Sequence, residues 1–175
     1  MYITDDSRMQ GLTKYAKVLI IAAGIILGFV ISRLFFVLPF TAQDNSMNPD
    51  IKKGDYVLIL KIGSSKEGDI VLVKSKVEKG RVILKRLIAK GEKIVELKDK
   101  KIYINETEFI PKWKILSDDA RIFPESFSNR DNLFPVKVNK GEVFVLGDNF
   151  DYSFDSRTFG AVDERLIIGR VIYKF

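Results

Sequence analysis

The sequence predicts a mostly β protein, with one antiparallel β domain carried on a single N-terminal transmembrane helix. Three observations predict this fold class. A long apolar run lies at residues 18–40, near the N-terminus. Beyond residue 40, short apolar or alternating runs follow one another between Gly, Asp, Asn and Lys residues, which is the pattern of strands joined by turns. No apolar repeat of helical period occurs after the first run. The 175 residues are enough for one domain and an anchor.

Residues 18–40 are predicted to span a membrane. As a helix this run would extend about 34 Å, compared with about 30 Å for a bilayer core. Arg33 lies nearer the far end, from which a long cationic side chain can reach the interface. A buried helix and a cleaved signal peptide are the alternatives. Phe40 argues against cleavage after Ala42, because a cleavage site needs a small residue there.

The distribution of basic residues predicts the orientation of the chain. Arginine and lysine residues precede the apolar run, so the positive-inside bias favours a cytoplasmic N-terminus. We therefore predict a cytoplasmic tail at residues 1–17 and an extracytoplasmic β domain at residues 41–175. The predicted location is the cell membrane, with a single pass.

Seven runs are predicted to form the strands of this domain, and they follow the alternating or continuous apolar pattern of half-buried and buried strands. They are DYVLIL (55–60), GDIVLVK (68–74), RVILKRLIA (81–89), KIVELKD (93–99), KIYIN (101–105), EVFVLGD (142–148) and RLIIGRVIYKF (165–175). Residues 106–132 interrupt the pattern with Pro111, Trp113 and Pro124. This stretch is longer than an ordinary connection, and we predict an irregular excursion there.

Composition restricts the chemistry that the domain can perform. The chain has neither cysteine nor histidine, which excludes disulfides and thiolate sites and removes the commonest general base and zinc ligand. Hydrolytic chemistry would need a carboxylate or a neutral lysine as its base. We predict no metal and no cofactor. The net charge is +6, but the lysines alternate with acids, which favours a solvated surface over nucleic-acid binding; contact with anionic lipid stays open.

Two residues are the candidates for that chemistry. Ser46 lies in the turn-forming stretch QDNSMNP, where a serine is ordinarily a cap or turn residue. Lys85 lies in RVILKRL, where strand alternation places Ile83 and Leu87 on its own face. Burial between apolar side chains lowers the pKa of a lysine and makes it a competent base. A serine nucleophile with a lysine base is a known variant of the serine hydrolase scheme.

A third segment, GDNFDYSFDSRTFG at residues 147–160, joins these two signals. Taken alone it predicts a tight turn held by its own hydrogen bonds. Together with SMNP, GDYVLI, RVILKR and the apolar run, and in the same order, it resembles the bacterial type I signal peptidases, membrane-anchored proteases that remove signal peptides. The resemblance runs from the anchor to the C-terminus and is weakest in the excursion.

The resemblance implies a role for particular residues. Ser46 would be the nucleophile and Lys85 the general base. Ser153 would orient the lysine, and Asp155 and Arg157 would form a supporting ion pair. Residues implied to line the substrate pockets are Phe40, Met47 and Leu84. The implied substrates are preproteins with small residues, of the Ala-x-Ala type, before the cut; the implied partners are these signal peptides, the lipid bilayer and the protein translocation machinery.

Asp44 departs from the family pattern, in which a serine or glycine lies two residues before the nucleophile. An ionised carboxylate cannot donate a hydrogen bond to an oxyanion. We expect either that Asp44 points away and the Ser46 amide serves as donor, or that Asn45 contributes.

Three alternatives remain at this point. A repressor-type self-cleaving protein would share the Ser-Lys chemistry, but a membrane span occupies the place of its N-terminal arm. A non-catalytic membrane-anchored β domain that binds secreted chains is favoured by Asp44 and disfavoured by the presence of both Ser46 and Lys85. A pilin-processing peptidase of the same family differs in its substrates.

Overall fold

The structure, a computed structural model, describes residues 6–175, and the side chains of these except for residues 6–13 and 32–34. Helix α1 spans Asp6–Phe36. It contains an 18-residue window, Lys14–Ile31, with a mean hydropathy of 2.0, long and apolar enough to cross a membrane. The Arg33 side chain lies outside the described residues, so its position at an interface stays a prediction.

The helix ends four residues before the predicted end of the span at Phe40, because residues Val37–Thr41 form strand β1. Pro39 explains the difference. A proline inside a helix removes a backbone donor and clashes with the preceding turn, and the residue before it avoids the helical region. A continuous apolar run therefore contains two different elements.

Residues 38–175 form a compact unit of their own. Its strands, taken with β1, are antiparallel in every ladder that the structure describes, and the predicted fold class is confirmed. The remaining strands are β2 Tyr56–Leu60, β3 Ile70–Lys74, β4 Val82–Lys90, β5 Lys93–Lys98, β6 Lys101–Ile104, β7 Thr107–Phe109, β8 Leu133–Val138, β9 Glu142–Leu146, β10 Val162–Asp163 and β11 Ile167–Lys174.

The strands form two sheets. The larger sheet has seven strands in the order β1-β2-β11-β3-β4-β9-β10, and the smaller has four in the order β7-β6-β5-β8. Strand β4 is the longest, and its residues 83–89 are all buried. Its apolar side chains enter all three hydrophobic clusters of the domain: Leu84 one, Leu87 a second and Ile88 the third. Both faces of β4 are therefore covered, which places any polar side chain on this strand in an apolar interior.

The predicted runs coincide with seven of the strands, and β1, β7, β8 and β10 are additional. Strand β8 contains Pro135 and an exposed Phe134, features that weaken a strand signal in the sequence. It is an edge strand of the smaller sheet, where a missing backbone donor is tolerated. The excursion at 106–132 begins with β7, and the rest of it carries only an isolated bridge between Leu116 and Asn149 among the described residues.

Candidate active site

Ser46 lies in the turn segment between β1 and β2. Met47 and Ile51 are each only 2% exposed and pack into the cluster that contains Leu84. The amide of Ile51 donates to the Met47 carbonyl at 2.8 Å, which closes a turn directly after the serine. These buried neighbours hold the segment against the sheet, and Ser46 itself is buried.

Lys85 lies at the middle of β4, opposite Val71 of β3. Its Nζ is 2.6 Å from the Ser46 Oγ, although 39 residues separate the two in the chain. The lysine is 1% exposed. The structure therefore brings the two sequence-predicted residues into direct contact in a site shielded from water.

Burial determines the protonation preference of this lysine. It is the largest effect, and it lowers the pKa of Lys85 below the ordinary value of 10.5. The carboxylates of Asp44 and Asp155 oppose the shift, whereas the nearby arginine charges reinforce it. A buried amine of lowered pKa can accept a proton from a serine hydroxyl, as a general base must.

Asp155 and Arg157 form an ion pair within the 147–160 segment, with Arg157 Nη2 2.8 Å from Asp155 Oδ2. The Asp155 carboxylate also accepts hydrogen bonds from the Gly147 amide at 3.0 Å and from the Arg157 amide at 3.1 Å. Burial by itself raises the pKa of Asp155, but the Arg157 charge and these hydrogen bonds outweigh it, and the net pKa lies below the ordinary value. The carboxylate thus organises the whole segment around one buried charge.

Ser153 lies against Gly147. Its buried hydroxyl has no hydrogen-bond partner among the described residues, although its proximity contributes to the lowered pKa of Asp155. A side chain at position 147 would overlap the Ser153 hydroxyl and lie 2.5 Å from the Ser46 carbonyl oxygen. Orientation of Lys85 by Ser153 stays a prediction.

Four polar residues that were not predicted as site residues connect the site elements. Arg86, next to Lys85 on β4, binds the buried Asp148 through both guanidinium Nε and Nη2, and its Nη2 lies 2.6 Å from Asp50. The Asn149 amide donates to the Ser46 carbonyl at 2.9 Å. The one signal for Arg86 in the sequence is a second cation inside an otherwise apolar strand.

The excursion supports the 147–160 segment from outside. Leu116 accepts from the Phe150 amide at 2.9 Å and donates to the Asp148 carbonyl at 2.8 Å. Farther along, the Arg130 carbonyl accepts from Arg157 Nη1 at 2.7 Å. These bonds fix the segment that surrounds Ser153 and Asp155.

The three residues expected to line substrate pockets, Phe40, Met47 and Leu84, border one pocket beside Ser46. Its other lining residues are Ala42, Gln43, Asp44, Val82 and Ile83. The pocket has a volume of about 10 Å³, room for about one water molecule.

Asp44 does not point away from the nucleophile. Its Oδ1 accepts a hydrogen bond from the Ser46 amide at 2.9 Å, so the expectation that this amide is free is wrong for the structure described here. The side-chain oxygen of Asn45 accepts from the Lys53 amide at 3.0 Å, and a contribution of its amide nitrogen to the oxyanion site stays a prediction.

A buried serine hydroxyl in contact with a buried lysine amine, in a domain of antiparallel strands, is the arrangement of a Ser-Lys hydrolase. The family model described as "Signal peptidase, peptidase S26" matches residues 12–175. The chain therefore belongs to the signal peptidase family, a family of serine proteases.

Known members of the family are similar over most of this chain. Signal peptidase IB of Staphylococcus aureus is 30% identical over 166 residues, which cover 89% of this chain and 85% of that protein. Signal peptidase I V of Bacillus subtilis is 32% identical over 153 residues, covering 83% and 89%. A crystal structure of a signal peptidase I from Enterococcus faecalis has 28% sequence identity and a TM-score of 0.48, covering 64% of this chain and 99% of that one.

Family membership and the apolar helix have two direct implications. The substrates of a signal peptidase carry signal peptides. A helix long and apolar enough to cross a bilayer, near the N-terminus of such an enzyme, indicates a membrane protein.

Proposed function

We propose that this protein cleaves signal peptides from exported preproteins with Ser46 as nucleophile and Lys85 as general base. The observation that carries the proposal is the 2.6 Å separation between Ser46 Oγ and Lys85 Nζ in a buried site. Histidine is absent from the chain, so Lys85 is the base in contact with the hydroxyl.

The reaction would proceed in two half-reactions. Neutral Lys85 takes the proton of Ser46 Oγ as this oxygen attacks the scissile carbonyl, and the tetrahedral intermediate forms. The protonated amine then gives the proton to the leaving amino group, and the acyl-enzyme remains. A water molecule, deprotonated by Lys85, hydrolyses that ester and restores Ser46.

The pocket beside Ser46 supports a preference for small residues of the Ala-x-Ala type. Phe40, Met47 and Leu84 limit its volume, so larger side chains would be excluded by overlap. Strand β4 pairs with β9 only from Arg86 onwards in the described ladder. The backbone at 82–85 could therefore pair with an extended substrate on that side, as in other complexes formed by strand addition.

The proposed anchor would place enzyme and substrate on the same bilayer surface. We propose a single pass with a cytoplasmic N-terminus and the β domain on the outer face, following the charge bias of the sequence. Confinement to one surface raises the effective concentration of the substrate. Substrates emerging from the translocation machinery would meet the site there, which makes that machinery a proposed partner.

Replacement of either dyad residue tests the proposal. In full-length protein purified in detergent, Ser46→Ala and Lys85→Ala should each reduce cleavage of a preprotein by at least about a thousandfold, since nucleophile and base act as a unit. Ser64→Ala and Lys74→Ala are matched controls, because both side chains are exposed, and they should retain wild-type rates.

The pH dependence of the rate supplies a second measurement. The rate should rise with pH as Lys85 loses its proton, and the midpoint should lie below the ordinary lysine value of 10.5, because burial lowers the pKa. Undiminished cleavage by the Lys85→Ala protein would contradict the mechanism. Preference for a prepilin over an Ala-x-Ala preprotein would favour the pilin-processing alternative.

A further inference from the structure

The contact between Asp44 and the Ser46 amide concerns the catalytic step itself. In acyl transfer to a serine, the backbone N–H of the nucleophile is a donor to the oxyanion that forms on the substrate. Here that N–H donates to Asp44 Oδ1 at 2.9 Å. A carboxylate oxygen thus holds the hydrogen bond that the scissile carbonyl oxygen would need.

The charge of Asp44 makes this arrangement incompatible with catalysis. Partial burial by itself raises the pKa of Asp44, but the hydrogen bonds from Ser46, with the charges of Lys85 and Arg81, outweigh it, and the net pKa lies below the ordinary value. The group is therefore an anion at neutral pH. An anion repels a developing oxyanion and has no proton to donate to it.

Arg81 offers the carboxylate an alternative partner. Its Nη2 lies 3.9 Å from Asp44 Oδ2, on the side away from the oxygen that binds the amide. The other terminal nitrogen, Nη1, is held by both oxygens of Glu78, at 2.7 and 2.8 Å. Both Arg81 and Asp44 are half-exposed, so a small rotation of the Asp44 side chain could exchange the amide for the guanidinium.

Arg81 also lies where substrate would enter. It immediately precedes β4, and Val82, Ile83 and Asp44 border the pocket beside Ser46. A peptide whose small side chain enters this pocket would therefore meet Asp44 before its carbonyl oxygen could reach the Ser46 amide.

We propose that Asp44 is a positioning residue that blocks the oxyanion site of the free enzyme through the Ser46 amide, and that a bound signal peptide opens the site by displacing the carboxylate towards Arg81. This inference rests on the proposed function of Ser46. Part of the substrate's binding free energy is then used to displace Asp44, because only the enzyme with the displaced carboxylate is competent for catalysis.

A purely structural role for Asp44 makes different predictions. An aspartate that accepts from the amide two residues on stabilises a turn, and its loss would then lower both activity and stability. Blocking predicts instead that loss of the carboxylate increases activity. The two roles are separated by measuring activity and unfolding in the same proteins.

The experiment uses full-length protein in detergent and four variants. Asp44→Ala removes the blocking group, and Asp44→Asn removes its charge at constant shape. Arg81→Gln removes the cationic partner proposed for the displaced carboxylate. Asp55→Asn is the matched control, because this carboxylate of the same segment binds the Lys52 amide and Lys174.

One activity, one stability and one binding measurement are made. The first two are kcat/KM for preprotein cleavage over a range of pH and thermal unfolding. The third is the affinity for a peptide boronate ending in alanine, relative to that for the matching peptide amide. The boronate forms a tetrahedral anion on Ser46 and so reports the oxyanion site without turnover, and Ser46→Ala should abolish its advantage.

Blocking predicts a definite pattern. Asp44→Ala should improve the boronate-to-amide affinity ratio and kcat/KM by about tenfold, as expected when a binding-competent state of minor population becomes the main one. Asp44→Asn should show a smaller gain. Arg81→Gln should lower kcat/KM in the wild-type background and have no effect in the Asp44→Ala background, and Asp55→Asn should behave as wild type.

The pH profile reports the charge of Asp44 beside Lys85 under either role, so the boronate-to-amide ratio is the readout that a turn-stabilising role would not move. The charged groups that interact with Lys85 are Asp44, Asp155, Arg157, Arg81 and Asp148. Asp44 raises the lysine pKa against the effect of burial, so its replacement should move the acidic limb of the rate profile to lower pH.

Opposite results would overturn the inference. If Asp44→Ala folds normally but loses activity and boronate affinity, the carboxylate assists the reaction. Equal effects of Arg81→Gln in both backgrounds would show that Arg81 does not receive the carboxylate. Should Asp44→Ala fail to fold, the same comparisons with Asp44→Asn decide. Cleavage by Ser46→Ala at the wild-type rate would instead refute the proposed function of Ser46, whatever the Asp44 variants show.

Discussion

The two halves of the site are held in different ways. Lys85 lies on β4, which is paired with β3 along residues 82–86 and with β9 from Arg86 onwards. Ser46 lies on a turn segment that is held by two buried apolar side chains and by hydrogen bonds from Asn149. Lys85, the proposed base, therefore has a position fixed by continuous backbone ladders, whereas the position of Ser46, the proposed nucleophile, depends on a few individual contacts.

This difference indicates where the site is sensitive to change. A ladder distributes displacement over many bonds, but a turn held by single contacts moves when one of them is lost. The hydrogen bonds among these contacts come from Asn149, which belongs to the 147–160 segment. Substitutions in this segment should therefore affect the nucleophile more than the base, and the following predictions test that expectation from the largest effect to the smallest.

Gly147→Ala should have the largest effect. Its Cβ would overlap the Ser153 hydroxyl and lie 2.5 Å from the Ser46 carbonyl oxygen, so the turn carrying the nucleophile must shift. A displacement of about 1 Å costs about a hundredfold in rate, and preprotein cleavage should fall by at least that factor. Gly28→Ala, in α1 with open space around it, is the matched control. Wild-type cleavage by Gly147→Ala would show that the turn adapts more easily than the comparison implies.

Arg86→Gln should have the next largest effect, on stability more than on chemistry. Its loss leaves Asp148 buried without its cation, which costs about 3–5 kcal/mol when one partner of a buried pair is removed. Urea unfolding of the full-length protein measures the change. Arg165→Gln removes an exposed arginine that is paired with Asp163 and should leave the free energy of unfolding almost unchanged. Equal effects of the two substitutions would contradict this account of Arg86.

Lys85→Met should have the smallest effect and the opposite sign. Because burial lowers the pKa of Lys85, the unfolded chain binds more protons than the folded one between the folded pKa and 10.5, and this difference destabilises the wild type as pH falls. The inactive variant should be more stable at pH 7, with the advantage shrinking as pH rises towards 10.5. Thermal unfolding over this pH range measures it. A pH-independent difference would mean that the lysine titrates normally.

The sequence predicted the base more completely than the environment of the nucleophile. Alternation along RVILKRL places Lys85 between Ile83 and Leu87, and in the structure β4 is buried on both faces. The contact of Asp44 with the Ser46 amide could not be predicted in the same way, because it depends on one side-chain rotation within a turn. Periodicity describes regular elements, and it carries no information about individual rotamers.

The strands that the sequence does not predict show the same limit of periodicity. Strand β1 was assigned to the membrane span because apolar composition alone does not separate a helix from a buried strand, and Pro39 was the local signal for the boundary. Strand β8 is not predicted, because Pro135 and Phe134 interrupt the alternation of apolar and polar residues along it. The ion pair of Arg86 with Asp148 joins residues 62 apart in the chain, and such a partnership is determined by the packed sheet.

Leu116 gives the excursion at 106–132 a structural role that its irregular sequence does not indicate. The two backbone groups of this residue are hydrogen-bonded to residues 148 and 150. The loop therefore holds the residues on either side of Asn149, whose amide binds the Ser46 carbonyl. Shortening this loop around Leu116 would remove both hydrogen bonds and loosen the segment that contacts Ser46. Insertions or deletions should therefore be tolerated far better at the tip of the loop than around this single leucine.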